Sequence, residues 1–330
     1  MIKSSPFRFL IVAIIPFLFS ACNSKKGGEG NSGVPTVAFL DAFEDNTLGV
    51  ARKGFWDALK DSGFSEEQKT INVLYRNAQG DIPKLTLALK YFNDQKPDLI
   101  ATCPTLSTIT ALQNNTTIPV FMMVSPVPSL MQLSDEKGKE PANLFGVGDN
   151  IDYIDTSFGL IPQLIKPKGA KLKVGVLYNQ SEPQSVEAIE RLKQLATRYN
   201  AELEVVSVSN SADLVLSVKS LIAKNIDAFF ANPDNVVFSG FENILESCHS
   251  AGVPVFSSEA GLVSRGAVAA YGADIYQWGY QSGAMAATYL KKKSTTGLKW
   301  TTVAKKQKVY NGAAAEQFHL TLPADYIKIQ

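Results

Sequence analysis

The sequence predicts an α/β protein with two lobes, each a doubly wound parallel sheet that carries helices on both faces. Short β-rich segments alternate with amphipathic helical segments from Thr36 onwards, and this order is typical of parallel sheets. The alternation stops in a polar stretch between Ser134 and Asn143 and restarts at Lys173. A chain of 330 residues is also long enough for two domains of ordinary size. Two similar lobes are therefore the simplest interpretation.

Residues 1–22 have the pattern of an export signal. Basic residues precede an apolar segment from Phe9 to Phe19, and small residues lead to Cys22. Cys22 stands where a bacterial lipoprotein signal places its acylated cysteine, so we expect a lipoprotein signal peptide with Cys22 as the lipidation site. Several acyl chains on one cysteine would anchor the protein stably to a lipid bilayer. A plain secretory signal, with Cys22 incidental, is the alternative.

Residues 23–34 should form a flexible tether. The segment from Asn23 to Gly33 contains four glycines and no apolar residue, so it has no side chains to bury in a core. A tether between a lipid and a folded body suits a protein that works beside a membrane.

The first block of alternating segments predicts four strands and three helices. The strands are expected at Thr36–Leu40, Thr70–Tyr75, Leu99–Thr102 and Val120–Val124, and the helices at Leu48–Ser62, Ile82–Phe92 and Leu106–Gln113. The helical segments carry apolar residues at the helical period. A short strand, Phe145–Gly148, follows the polar stretch.

The second block repeats the pattern after a helix predicted at Ile151–Ile165. Its strands are expected at Lys173–Tyr178, Leu203–Val208, Ala228–Phe230 and Val253–Phe256, and its helices at Val186–Tyr199, Asp213–Ile222 and Val237–Cys248. The tail adds a strand at Ala267–Tyr271, a helix at Tyr276–Leu290 and a strand-like run at Lys308–Tyr310. This is too little for a third domain, so the tail should complete the two lobes.

The order of elements sets the expected lobe boundaries. Residues 35–148 plus 272–292 should form the N-terminal lobe, and residues 149–271 plus 293–330 the C-terminal lobe. The chain would cross between them near Gly148–Asp152 and Tyr271–Ala273, with a third crossing near Lys292.

The composition argues against several classes of function. Net charge is +1, from 32 basic and 31 acidic residues, so nothing favours a nucleic-acid partner. The two histidines, His249 and His319, have no partners at metal-ligand spacing, and no Gly-x-Ser-x-Gly turn or nucleotide-binding P-loop occurs. We therefore expect no metal, no cofactor and no enzymatic activity. After the first 25 positions no run of about 18 apolar residues predicts an internal membrane span.

Ligands of open parallel sheets bind beyond the carboxyl ends of the strands, beside helix N-termini. Small polar residues follow most predicted strands in both halves of the chain. Thr105 and Ser107 open a helix, a place suited to a carboxylate. Glu44, Glu259 and Asp274 carry carboxylates that suit an amine. Further polar candidates at strand ends are Ser125, Tyr178, Asn179, Glu182 and Asn235.

Some strand-end residues also suit helix N-caps. Asp81, Asp234 and Ser181 each precede a predicted helix, and for any single one of them the cap is the simpler interpretation. The recurrence of polar residues after most strands is what favours a ligand site.

Two cysteines remain in the folded body, Cys103 and Cys248. They could pair in an oxidising compartment. Because each falls within a different predicted lobe, we expect two free, mostly buried thiols.

Five segments, taken in order, resemble one bacterial family. They are Arg52-Lys53-Gly54-Phe55, Asn77-Ala78-Gln79-Gly80-Asp81, Gly175-Val176-Leu177-Tyr178-Asn179 with Glu182 and Ser185, Pro233-Asp234-Asn235, and Gly266-Ala267 leading to Tyr276 and Gly279. Over Thr36 to Leu290 the chain is similar to the substrate-binding proteins of ABC transporters, in particular the tryptophan- and tyrosine-type uptake lipoproteins. The resemblance implies a type I periplasmic-binding-protein fold, in which two lobes joined by three crossings close on a solute.

The resemblance also implies ligand-binding positions. Glu44 matches a glutamate after the first strand, and Thr105 and Ser107 match a loop of small residues after the third. The second lobe would contribute Tyr178, Asn179, Glu182, Ser185 and Asn235, and Asp274 matches a segment after that lobe's last strand. Partners implied are a small-molecule ligand and an ABC permease in the membrane.

Three departures from the family pattern lie in the expected cleft. The chain has Glu44-Asp45-Asn46 where members often have Glu-His-Pro, and Ser125-Pro126-Val127 where an acidic residue often precedes the proline. Cys103 replaces a residue that is usually small and apolar. The departures therefore do not favour an aromatic amino acid over other amino acids or related compounds as the ligand.

These observations lead to one expected function. The chain should be an extracytoplasmic, lipid-anchored solute-binding protein of an ABC importer, periplasmic in a Gram-negative cell. It would capture a small polar ligand, an amino acid or a related compound, by lobe closure. A lipoprotein that presents its bound solute to a membrane receptor is the alternative, because transport and sensing share the same site chemistry.

Overall fold

The computed structural model describes residue 1, residues 33–115 and residues 117–329. The expected signal peptide, the lipidation site at Cys22 and nearly all of the tether lie outside the described residues. The first part of the described chain alternates strands and helices as predicted. Its elements are β1 (Thr36–Asp41), α1 (Asn46–Asp61), β2 (Asn72–Asn77), α2 (Ile82–Gln95), β3 (Leu99–Cys103), α3 (Thr105–Asn114), β4 (Val120–Pro126) and β5 (Leu144–Asp149).

The alternation restarts in the second part of the chain. Its elements are α4 (Tyr153–Leu164), β6 (Lys173–Tyr178), α5 (Pro183–Arg198), β7 (Glu202–Ser207), α6 (Leu214–Ala223), β8 (Ala228–Ala231), α7 (Asn235–Ser239), α8 (Phe241–Ser250), β9 (Val255–Ser257), α9 (Ala260–Val263) and β10 (Ala269–Ala273). The tail contains α10 (Ile275–Lys292), β11 (Thr301–Thr302), β12 (Lys306–Tyr310), α11 (Gly312–Gln317) and β13 (Ile327–Lys328).

Two parallel sheets form the centres of the two lobes. The first has the order β11-β5-β4-β3-β1-β2 and the second the order β7-β6-β8-β9, and all of their pairings are parallel. A three-stranded sheet, β10-β12-β13, adds an antiparallel pair to the second lobe. The predicted α/β class with two doubly wound lobes is confirmed.

Each central sheet is covered by an apolar core on both faces. Successive side chains of a strand point to opposite sides, so one strand contributes residues to both cores. In β1, Val37 and Phe39 enter one apolar core while Ala38 and Leu40 enter another. In β8, Phe230 and Phe229 divide in the same way between the two cores of the second lobe. Continuous apolar strands of this kind are typical of parallel sheets buried on both faces.

Helix starts follow local cap chemistry. The Asp45 side chain accepts hydrogen bonds from the first-turn amides of α1, and Asp81 and Asp234 do the same for α2 and α7. The N-cap interpretation of Asp81 and Asp234 is therefore correct. Ser181 is not a cap, because α5 begins at Pro183 and Glu182 occupies the N-cap position.

One predicted helix, Val237–Cys248, is two helices in the structure. Gly240 separates α7 from α8, and its backbone lies outside helical geometry. A Cβ atom at this position would overlap the side chain of Leu214 on α6. The helix break therefore lies where α6 packs closely. The periodic pattern of apolar residues does not predict this break.

The tail returns to the first lobe for longer than expected. β11 pairs with β5, and Leu298, Trp300 and Val303 pack on the cores of the first lobe. The chain then enters the second lobe with β12, which pairs with β10. The third crossing thus follows Val303, whereas the sequence suggested a position near Lys292.

Both cysteines of the described part, Cys103 on β3 and Cys248 on α8, are unpaired and buried, as predicted. Among the described residues, none of the helices combines the length and apolar character that a membrane span requires.

The long helix α10 is fixed to the first lobe by glycines. A Cβ atom on Gly279 or Gly283 would overlap the backbone carbonyl of Ala51 or Phe55 on α1, and one on Gly54 of α1 would overlap the carbonyl of Tyr276. Only glycine allows two helix backbones to approach this closely. The α1–α10 contact therefore holds the segment after the second crossing against the first lobe.

Gly279→Ala should destabilise the protein by about 1–3 kcal/mol, because the added methyl group forces α1 and α10 apart in a packed core. Gly169→Ala is the matched control, since its Cβ would meet open space. Thermal unfolding followed by circular dichroism measures the difference. Equal melting temperatures for both variants would contradict the close contact.

Candidate ligand-binding cleft

A cleft lies between the two lobes and consists of two connected chambers. The two chambers share part of their lining, and the outer one is the larger. Thr105 of the first lobe and Gln184 and Asn235 of the second line both chambers. A small molecule in this cleft would therefore contact both lobes at once.

The walls of the inner chamber are mainly apolar. Leu48, Ile151, Phe238 and Trp278 line it. The Trp278 indole N–H donates to the carbonyl of Val147 at 2.8 Å, so its polar group is already satisfied. An apolar chamber with a few polar groups is the usual composition of a small-molecule site.

Asp149 is the most unusual polar residue of the inner chamber. It ends β5, is 2% exposed, and receives the Lys306 ammonium at 2.9 Å on Oδ1. Its Oδ2 is buried and has no hydrogen-bond partner among the described residues. Burial raises the pKa of the Asp149 carboxyl to about 6, and Lys306 only partly offsets this. A buried acceptor without a donor is costly, so this oxygen is suited to a donor supplied by a ligand.

Glu259 lines the same chamber from the second lobe. The Tyr153 hydroxyl donates to its Oε1 at 2.9 Å, and the carboxylate is 5% exposed. Burial raises the pKa of Glu259 to about 7, with Asp149 adding to the effect and Tyr153 opposing it. Asp149 and Glu259 together make this end of the chamber favourable for a cationic group.

The start of α3 provides the opposite kind of group. Thr105 is its first residue, and Pro104 in the N-cap position gives no side-chain cap. The first amides of a helix have no acceptor within the helix, and they carry the positive end of its dipole. Thr105 faces both chambers, so this helix end is suited to an anionic group.

A partly buried hydrogen-bond network shapes the second-lobe wall. Glu182 accepts from the backbone N–H and side-chain amide of Asn235, at 3.0 and 2.7 Å, and from Gln184 Nε2 at 2.6 Å. Burial and the nearby Asp234 carboxylate raise the pKa of Glu182 above its usual range. Since Gln184 Nε2 is directed to Glu182, its Oε1 is left buried and without a partner among the described residues.

The structure brings several of the predicted residues together. Thr105, Ser125, Asn235 and Glu259 line the inner chamber. The outer chamber is lined by Glu44, Thr105, Asn179, Glu182 and Asn235. Ser125 also shares a hydrogen bond with Thr108 at 3.0 Å.

Four predicted residues line neither chamber. Ser107 donates to the carbonyl of Cys103 at 2.9 Å, and Ser185 donates to Asp234 at 2.6 Å, both inside their own lobes. Tyr178 is half-buried against the core of the second lobe. Asp274 caps α10 and pairs with Lys305 at 3.1 Å, so its charge is used beside the crossings.

Sequence reasoning missed Asp149, Tyr153, Gln184 and Trp278. Asp149 follows the same strand-end rule that selected the other candidates, because it ends β5. It also falls within the expected crossing at Gly148–Asp152, a segment that the sequence does not distinguish from a linker. Tyr153, Gln184 and Trp278 lie within helices, where the sequence alone does not show which face borders a cleft.

The arrangement of these groups suits the binding of a small molecule. Within the part of the chain that the structure describes, no cluster of three or more His, Cys, Asp or Glu side chains is placed to hold a metal ion. The cleft instead joins an apolar chamber, buried acceptors and an uncapped helix start, contributed by both lobes.

Comparison with known proteins identifies the family. The pattern of the ABC transporter substrate binding protein family matches residues 36–329. A tyrosine-binding protein of Clostridioides difficile (strain R20291) is 29% identical over 340 residues, which cover 99% of this chain and 96% of that protein.

Two solved structures show the same fold. A conserved domain protein from Vibrio cholerae O1 biovar eltor is 27% identical with a TM-score of 0.79, covering 89% of this chain and 99% of that one. The ABC domain from Streptococcus pneumonia in complex with L-Trp is 22% identical with a TM-score of 0.79, covering 88% and 97%. The chain therefore belongs to the ABC transporter substrate-binding proteins, which bind solutes and are not enzymes.

Proposed function

We propose that this chain is an extracytoplasmic lipoprotein that captures an amino acid in its inner chamber and hands it to the membrane permease of an ABC importer. One observation carries the proposal. Two buried acceptors that have no partner among the described residues, Asp149 Oδ2 and Gln184 Oε1, border the same chamber as the uncapped start of α3. A zwitterion carries both complementary groups: an ammonium that donates to these acceptors and a carboxylate that accepts from the helix start.

The ammonium group of the ligand would occupy the acidic end of the chamber. Asp149 offers a charged acceptor from the first lobe and Gln184 a neutral one from the second. A charge-assisted hydrogen bond to a buried carboxylate is about twice as strong as a neutral one. The ligand carboxylate would accept hydrogen bonds from the first amides of α3 and from the Thr105 hydroxyl.

The side chain of the ligand would pack against the apolar walls. Leu48, Phe238 and Trp278 offer aliphatic and aromatic surfaces, which favour a large apolar or aromatic side chain. The names of the relatives support this choice, since one is a tyrosine-binding protein and another was solved with L-Trp.

Capture would occur by lobe closure. Thr105 belongs to the first lobe, and Gln184 and Asn235 belong to the second. A ligand that contacts both lobes only when they are together stabilises the closed form by its difference in affinity for the two forms.

The ligand is tested by thermal melting of residues 33–330 with tyrosine, tryptophan, phenylalanine and leucine. A ligand at about 100 times its Kd adds about 2.7 kcal/mol to the free energy of unfolding. Asp149→Asn should weaken binding of the same amino acid at least tenfold, because a buried charged partner is lost. Asp152→Asn is the matched control: Asp152 pairs with the same Lys306 at 3.2 Å but is 56% exposed.

N-acetylated amino acids and amino-acid amides separate the two subsites. The acetylated compound lacks the ammonium cation, so the wild type should not bind it. The Asp149→Asn variant should show a smaller difference in affinity between the acetylated compound and the free amino acid. If Asp149→Asn binds as tightly as Asp152→Asn, the proposed ammonium subsite is wrong. A melting shift with a sugar or nucleoside alone would rule out the amino acid as ligand.

The stability of the ligand-free protein should depend on Glu259. Its pKa lies near 7 in the folded chain and at 4.5 in a free side chain, so the folded protein binds this proton more tightly. Ionisation therefore lowers the free energy of unfolding as pH rises from about 4.5 to 7. Glu259→Gln should be more stable than the wild type at pH 8, by on the order of 1–3 kcal/mol, and should lose this advantage near pH 4.5.

Urea unfolding at the two pH values measures this effect. The exposed residue Glu187 supplies the control, because Glu187→Gln should follow the wild type throughout. A constant difference between Glu259→Gln and the wild type at both pH values would show that Glu259 does not titrate as proposed.

The lipid anchor is tested at Cys22. Full-length protein expressed in a bacterial host should fractionate with membranes and take up a labelled fatty acid, and Cys22→Ser should abolish both because the acylated thiol is lost. Asn23→Ala keeps the cysteine and should behave as the wild type. Release of unlabelled wild-type protein would instead support the plain secretory signal.

A further inference from the structure

One arginine joins the two lobes outside the chambers. Arg265 follows α9 in the second lobe, and its Nη1 donates to Asp45 Oδ2 of the first lobe at 2.7 Å. The Arg265 side chain is 11% exposed and that of Asp45 5%. This contact is an ion pair held almost out of water across the gap between the lobes, and we call it the interlobe pair.

The second lobe fixes the arginine before any contact with the first. Arg265 Nε and Nη2 donate to the two carboxylate oxygens of Glu242, both at 2.8 Å, and Nη2 also donates to the Phe238 carbonyl at 2.9 Å. The guanidinium lies over the Phe241 ring at 5.3 Å. A side chain already held by a bidentate carboxylate loses little further freedom when it pairs again. Nη1 is thus directed toward the first lobe at low entropic cost.

The first lobe presents its carboxylate in the same prepared way. Asp45 Oδ1 accepts from the amides of Thr47 and Leu48, at 2.8 and 3.1 Å, and so caps α1. These bonds fix the rotamer and leave Oδ2 for Arg265. Leu48 itself lines the inner chamber. The carboxylate that reaches the other lobe is therefore rigidly connected to the chamber wall.

A second contact lies beside the pair. A Cβ atom on Gly261 of α9 would overlap Thr47 Cγ2 of α1. The absence of a side chain at position 261 lets α9 approach the start of α1 closely. Opening of the lobes would separate both contacts together and expose both charges to water.

We propose that the Asp45–Arg265 pair is a closure-determining contact: it stabilises the closed arrangement independently of the ligand and so raises the affinity of the cleft. This inference rests on the proposed function, in which the ligand is captured by lobe closure. The physical reason is that hydrogen bonds within each lobe already orient both side chains. Closure therefore forms the ion pair without the entropy cost of ordering two free side chains. A ligand then has less of its binding free energy to spend on closure.

Small-angle X-ray scattering of the ligand-free protein tests the pair directly. Asp45→Asn keeps the Oδ1 cap and removes the charge, and it should give a larger radius of gyration than the wild type. Arg265→Gln should give the same result, and the double variant should add little. Asp155→Asn is the matched control, because it breaks an Arg–Asp pair within the second lobe and should leave the radius unchanged.

Affinity for L-tyrosine and L-tryptophan provides the second readout. Asp45→Asn should weaken binding by roughly tenfold, the lower range for closely paired interfacial charges, while the radius of the saturated protein matches that of the wild type. Cooperative melting of each variant shows that it is folded. An unchanged radius in the ligand-free Asp45→Asn variant would overturn the proposal, even if a ligand binds. Failure of every amino acid to bind would refute the proposed ligand but leave the scattering test intact.

The variant Gly261→Ala tests the neighbouring contact between α9 and α1. The added methyl group should hold the lobes apart and enlarge the ligand-free radius, and Thr47→Ala should restore the wild-type value in the double variant by removing Cγ2. A Gly261→Ala protein with the wild-type radius would show that α9 and α1 do not limit closure.

Discussion

The carboxylate of Asp149 constrains the arrangement of the region between the lobes. It is buried at the end of β5, and its cationic partner among the described residues, Lys306, lies on β12 of the second lobe. A buried carboxylate without a cation is destabilising, so the Asp149–Lys306 pair favours arrangements that keep Lys306 close to the end of β5. This pair joins the first crossing to the third. Lys306 also contacts Asp152 and lies over the Tyr153 ring, so the crossings share one electrostatic centre.

Rotation about such a centre requires rigid bodies on either side. In the first lobe, the glycine contact packs the backbones of α1 and α10 closely against each other and so favours this rigidity. Asp274 caps α10 and pairs with Lys305, the residue before Lys306. Two neighbouring lysines thus bind carboxylates from two different crossings. This explains why Asp274, which resembles a ligand-binding residue of the family, is engaged beside the crossings and is absent from the cleft.

The fold was predictable because the period of apolar residues and the strand–helix order are strong local signals. β11 was missed because two exposed residues carry no pattern, and the break at Gly240 depends on packing against Leu214, which is not adjacent in sequence. The site was less predictable. Thr105 and Gln184 face the cleft, whereas Ser107 and Ser185, on the same helix starts, point into their own lobes. A step of one or two residues turns a helical side chain by about 100 or 200°, and the sequence gives the spacing but not the direction of the cleft.

The departures from the family pattern acquire a physical meaning in the structure. The acidic residue expected before Pro126 is absent, but Pro126 is the register partner of Asp149 across β4 and β5. Ser125, which precedes Pro126, pairs with Gly148, and Asp149 ends the neighbouring strand one residue further along. Asp45 replaces the histidine that members often have, and it is the residue that reaches Arg265. A neutral imidazole would offer no charge for the guanidinium. The residue at which this chain departs from that pattern therefore supplies one of the charged contacts between the lobes, in addition to the Asp149–Lys306 pair.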